Sequence, residues 1–128
     1  MLKLGRIIVC LLLVFGVFAG IGAGAEAAAS LHWQTQAVYY DDAGRIVIEG
    51  YFYNNGTVPI VWVNWFAVKV FFRNADSNWW LATTANFNGL NLQLYPGDSR
   101  HWTFYIYNAR QYRFDYWQVN WSVNYNTQ

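Results

Sequence analysis

Few side chains in this sequence have the chemistry of an acid, a base or a nucleophile, and none is spaced to work with another. The two histidines, His32 and His101, lie far apart, outside any spacing such as H-x-x-x-H that would set two imidazoles on one metal. Glu49 and Asp115 are isolated carboxylates, whereas glycoside hydrolysis uses a pair flanking one bond. Lys69 stands beside Phe71 in an alternating apolar run and reads as an exposed strand residue rather than a nucleophile. Asp41-Asp42, with Gly44 close by, could offer oxygen ligands to calcium, but adjacent carboxylates before a glycine are first of all turn formers. No catalytic residue, metal site or cofactor is therefore expected, and the chain does not read as an enzyme.

Contact chemistry is far better represented. Aromatic residues make up 21% of the sequence against 12% charged, and all eight Trp lie beyond residue 30. A sheet buried on one face needs apolar side chains only at every second position. Phe52, Phe66, Phe72, Trp102, Phe104, Trp117 and Trp121 follow such an inward period. Tyr51, Tyr53, Trp65, Phe71, Tyr105 and Tyr107 break it, and these six are the candidate binding residues. If the strand at 64–73 neighbours the one at 101–107, Trp65 joins Tyr105 and Tyr107 on one outer face. Gln118, Asn120 and Asn124 would add amide hydrogen bonds beside them. Rings with a flat apolar body and a polar edge suit stacking on sugars or a protein hot spot; packing beneath loops or cross-strand neighbours is the structural alternative.

The elements that must position these residues read as β throughout. A first strand spans 31–40 and ends at the Asp41-Asp42-Ala43-Gly44 turn. In 45–53, Ile46, Ile48 and Phe52 share a face, and Gly50 interrupts that row, marking a bulge or close packing against a ring. Asn54-Asn55-Gly56-Thr57 is a turn, and Pro59 restricts the entry to the next strand. Further alternation runs through 64–73, 79–87, 90–94, 101–107 and 117–125, and Tyr95-Pro96-Gly97-Asp98 has Pro and Gly placed for a type II turn. About seven short strands with regular turns indicate an all-β fold, an immunoglobulin-like antiparallel β-sandwich.

Residues 1–29 read as a signal peptide and 30–128 as a single sandwich domain. Lys3 and Arg6 precede an apolar run at 7–19, followed by the A-x-A patterns Ala23-Gly24-Ala25 and Ala25-Glu26-Ala27. Retention as an N-terminal anchor is the alternative, because 20–25 would lengthen the run. Cys10 lies inside that run rather than at its end, which speaks against lipidation, and it is the only cysteine. A processed chain would thus rely on its core rather than on disulfides. Within 30–128, Arg45, Lys69, Arg73, Arg100, Arg110 and Arg113 balance Asp41, Asp42, Glu49, Asp76, Asp98 and Asp115. Near-zero charge without a basic patch argues against nucleic acid and against an anionic membrane surface as partners.

Gly50-Tyr51-Phe52-Tyr53-Asn54-Asn55 after a β run, then Pro96-Gly97-Asp98-Ser99 leading into Trp102-Thr103-Phe104, resembles the SLAP domain of Firmicutes and the related FxLYD-type modules. The likeness would span Trp33 to Tyr125. It departs from the family pattern at Asn74-Ala75-Asp76-Ser77-Asn78, which stands where a glycine-containing acidic turn is usual, and in its higher aromatic content. The resemblance implies a secreted, non-catalytic, immunoglobulin-like module of the bacterial cell surface and carries over no catalytic residue. The expected function is protein interaction or surface-layer assembly, with an envelope protein or self-association as partner. Binding of a cell-wall glycan through an exposed aromatic face is the alternative.

Overall fold

Strands form where the apolar alternation is sustained: β1 (Leu31–Tyr40), β2 (Ile46–Asn54), β3 (Ile60–Arg73), β4 (Trp80–Leu90), β5 (Ser99–Ile106) and β6 (Tyr116–Thr127). The computed structural model describes residues 30–128; the expected signal peptide, its cleavage sites and Cys10 lie outside the described residues. Two antiparallel three-stranded sheets result, in the orders β1-β2-β5 and β4-β3-β6. The chain changes sheet after β2, after β4 and after β5, giving an immunoglobulin-like β-sandwich.

Inward-facing residues of both sheets fill one core. Ile46, Ile48, Phe52 and Phe104 meet Phe66, Val68, Val70, Phe72, Val119 and Trp121 across the sandwich. Its centre is aromatic: Trp33 lies 4.8 Å from Phe52 and 5.3 Å from Phe66, and Phe66 stacks on Phe104 at 4.9 Å. Phe52, Phe66 and Phe72 are fully buried, each contributing about 2–3 kcal/mol of hydrophobic stabilisation.

The expected strand at 90–94 is replaced by a tighter path. Leu92 N–H donates to Leu90 C=O at 2.8 Å, and only Leu94 pairs, exchanging two backbone hydrogen bonds with Ile60. This turn drops Leu92 and Leu94 into the core, so the leucine alternation plugs one end of the sandwich instead of extending a sheet.

Two connections are held firmly. Asn54 is 1% exposed. Its Nδ2 donates to Val58 C=O at 2.9 Å and Leu94 C=O at 3.0 Å, while its Oδ1 accepts from Gly56 N–H. Its backbone bonds Asp98 C=O and Gly97 N–H, joining the end of β2 to the Tyr95–Asp98 turn, where Asp98 N–H donates to Tyr95 C=O and Gly97 has a φ of 86°. At the other end, the 107–115 connection is fastened by Tyr40, whose hydroxyl donates to Arg110 C=O and accepts from Tyr112 N–H. Phe114 in the same connection stacks on Phe72 at 3.9 Å.

Candidate functional site

Strand pairing separates the expected aromatic face into two. Because β5 pairs with β2 (Val47 opposite Tyr105) while β3 lies between β4 and β6, Trp65 and the Tyr105/Tyr107 pair occupy opposite outer faces of the sandwich. The strand at 64–73 is therefore not a sheet neighbour of the one at 101–107; the two face each other across the core, where Phe66 stacks on Phe104. The physical reason is that each of β2, β4 and β5 is followed by a change of sheet, which alternation along a strand does not encode.

The outer face of β1-β2-β5 is rich in tyrosine. Tyr39, Tyr51, Tyr105 and Tyr107 are all exposed on it, Tyr107 at 61%. Arg45 lies over the Tyr105 ring at 4.5 Å and the Tyr107 ring at 5.5 Å, a cation–π arrangement that fixes both. Tyr39 donates its hydroxyl hydrogen bond to Glu49, and this bond is the main reason its phenol is held above the ordinary pKa. Tyr51 meets His101 edge-on at 5.2 Å, and Tyr53 stacks on His32 at 5.3 Å. Val47 points outward yet is buried, with Tyr39 and Tyr105 opposite it on the two neighbouring strands.

The outer face of β4-β3-β6 carries Trp65 and Phe71 among carboxamides. Register sets Trp65 between Asn88 on β4 and Asn124 on β6, and Phe71 between Leu81 and Gln118. Thus Asn124 and Gln118 stand opposite Trp65 and Phe71 rather than beside Tyr105 and Tyr107, and Asn120 stands opposite Lys69. Trp62 joins this face. The register of β3 against β6 shifts at Val61 and again at Asn64, placing Trp62 opposite Asn126 and Trp65 opposite Asn124. In a regular strand, residues three apart face opposite ways. The bulge at Asn64 removes that difference, with Ile60, Val63 and Phe66 all buried on the inner side. The threefold spacing of those apolar residues was the available sequence signal for Trp62.

Several of the groups considered for catalysis hold structural contacts. Asp115 accepts from Ala75 N–H and anchors the β3–β4 turn. Asp41 accepts from the N–H groups of Ala43 and Arg45 through Oδ1 and from the Arg45 guanidinium through Oδ2 at 2.7 Å, which holds its carboxyl below the usual range. His32 is buried, with Ser30 Oγ 2.7 Å from its Nε2. Among the described residues no three His, Cys, Asp or Glu side chains gather as a metal site, and no helix is long and apolar enough to cross a membrane.

No family model and no curated protein sequence matches the chain. Among solved structures, the Salmonella enterica trimeric lipoprotein SadB is similar with a TM-score of 0.48 and 12% identity, over 97% of this chain and 78% of that one. A beta-glucosidase from Listeria innocua in complex with glucose is similar with a TM-score of 0.35 and 10% identity, over 80% of this chain and 16% of that one. Likenesses of this degree carry nothing about activity or partners.

Proposed function

We propose that this chain is a secreted, non-catalytic module of the bacterial cell envelope that acts by protein contact or surface-layer assembly, through the tyrosine face of β1-β2-β5. One observation carries the reading: Tyr39, Tyr51, Tyr105 and Tyr107 stand exposed together on one sheet face, two of them braced by Arg45 and one by Glu49. Tyrosine and arginine dominate protein hot spots because they offer large rigid contact area at low entropic cost. Fixing the rings before contact lowers the ordering cost of association. The export reading rests on the 7–19 apolar run and the A-x-A patterns after it. The envelope assignment rests on the resemblance to SLAP and FxLYD-type modules, whose two motif segments are joined here through Asn54 and the Gly97-Asp98 turn.

The test is sedimentation of the purified protein with isolated bacterial envelopes, alongside analytical ultracentrifugation of the protein alone. The double variant Tyr51→Ala/Tyr105→Ala should lose at least about tenfold in whichever association the wild type shows, with an unchanged circular dichroism spectrum. Wild-type protein that neither self-associates nor co-sediments, or a folded double variant that associates like wild type, would sink the proposal.

A further inference from the structure

The opposite face is chemically different, and its pattern points to another ligand class. Trp62 and Trp65 lie along the central strand of β4-β3-β6, with Asn64 projecting at the bulge between them. Asn64 Nδ2 donates to Asn124 Oδ1 at 2.7 Å and Asn126 Oδ1 at 3.0 Å, and Asn86 Nδ2 donates to Asn88 Oδ1 at 3.0 Å. The bonds to Asn124 and Asn88 use the carboxamide oxygens and leave an NH2 group on either side of Trp65, whereas Asn126 Nδ2 returns a bond to Asn64 Oδ1 at 3.5 Å. Trp65 is 37% exposed between them. A Cβ at Gly89 would lie 3.4 Å from the Trp62 ring, ordinary contact distance, which places that ring beside β4; the φ of 67° is what favours glycine there.

We infer that Trp62, Asn64, Trp65, Asn88, Asn124 and Asn126 form a binding strip for a neutral, hydroxyl-rich glycan chain. An indole offers a flat apolar surface to the C–H face of a pyranose. Carboxamides both donate and accept, as neutral hydroxyls require, and amides already bonded to one another are oriented before the ligand arrives. The three strands contain no Asp or Glu, so the strip presents no carboxylate to repel or select charge. Lys69, exposed on the same side of β3, lies beyond Trp65 towards Phe71 and outside the strip; the tyrosine face differs in carrying a carboxylate, Glu49, bonded to one of its rings. This site is separate from the protein-contact surface proposed above and stands or falls independently of it.

The purified protein is titrated with cello-, laminari- and chito-oligosaccharides, following tryptophan fluorescence and heat of binding. At least one series should give a saturable spectral shift. Trp65→Ala should weaken that binding about tenfold, while Tyr105→Ala on the opposite face leaves it unchanged. Asn88→Ala/Asn124→Ala, which alters only exposed side chains, should also weaken it and guards against a Trp65 variant that fails to fold. The inference is overturned if no series gives saturable binding, or if the folded Trp65 and Asn88/Asn124 variants bind like wild type. It is equally overturned if Trp65→Ala instead abolishes self-association in a protein that binds no glycan, which would give the face to a second copy of the chain.

Discussion

The indole of Trp33 occupies the space that a side chain at residue 50 would need: a Cβ on Gly50 would stand 2.6 Å from the Trp33 ring and 2.2 Å from the Gln34 carbonyl. Gly50 pairs with Thr35 on β1 and Trp102 on β5, immediately beside the register shift between Thr35 and Ala37. The extra residue in β1 and the missing side chain in β2 together let Trp33 turn into the core, where its Nε1 donates to Thr35 Oγ1 at 2.7 Å. Both readings of Gly50, a bulge and close packing against a ring, hold at once.

Gly50→Ala should therefore be among the most damaging small changes in the chain. The contact is with backbone as well as with a ring packed against Phe52, Phe66 and Phe104, so neither neighbour yields cheaply. A loss of about 3 kcal/mol is expected, read from the urea unfolding midpoint. A variant as stable as wild type would show that the strand pair can open to admit a methyl group.

Asn54 is predicted to be a stability residue although its sequence context reads only as a turn. Truncation in Asn54→Ala strands the carbonyls of Val58 and Leu94 in a buried site and frees Gly56 N–H. The cost should be about 3 kcal/mol, measured by denaturation. Faster hydrogen exchange should accompany it at Gly97 N–H, which donates to the backbone carbonyl of residue 54.

Stability should fall on mild acidification because of His32. Burial pushes its pKa below the ordinary value of 6.5, so the folded protein holds a neutral imidazole. The unfolded chain takes up a proton first as the pH drops. The contribution is fully present above about pH 6.5 and is lost progressively towards the lower folded-state pKa. Urea midpoints taken between about pH 8 and pH 5 should decline across this window, and His32→Asn should flatten that decline. An identical slope in the variant would assign the effect to other groups.

Much of the fold was legible because β alternation is a local property. The inward rows of β2, β3, β5 and β6 follow from which side chains stand two apart, and Phe52, Phe66, Phe72, Phe104 and Trp121 are all buried as that period requires. Turn chemistry was equally local: Gly44 and Gly97 take the positive φ their turns demand. The leucines at 90–94 misled because alternation also serves a chain that dips into a core and leaves it again.

The sequence by itself determined the inward rows of the regular strands, the β class, and the scarcity of groups suited to catalysis. Only the tertiary structure decided which outward residues share a face. Strand period carries no information on which strands become neighbours, so whether Trp65 joins Tyr105 and Tyr107 is settled by the pairing, which puts two sheets and a core between them. A single bulge reverses the parity on which strand reading depends, and through Asn64 it brought Trp62 to the side of Trp65. Pairing and bulges arise from contacts between segments distant in the chain. The aromatic surplus therefore resolved into two chemically distinct surfaces only once the strands were paired.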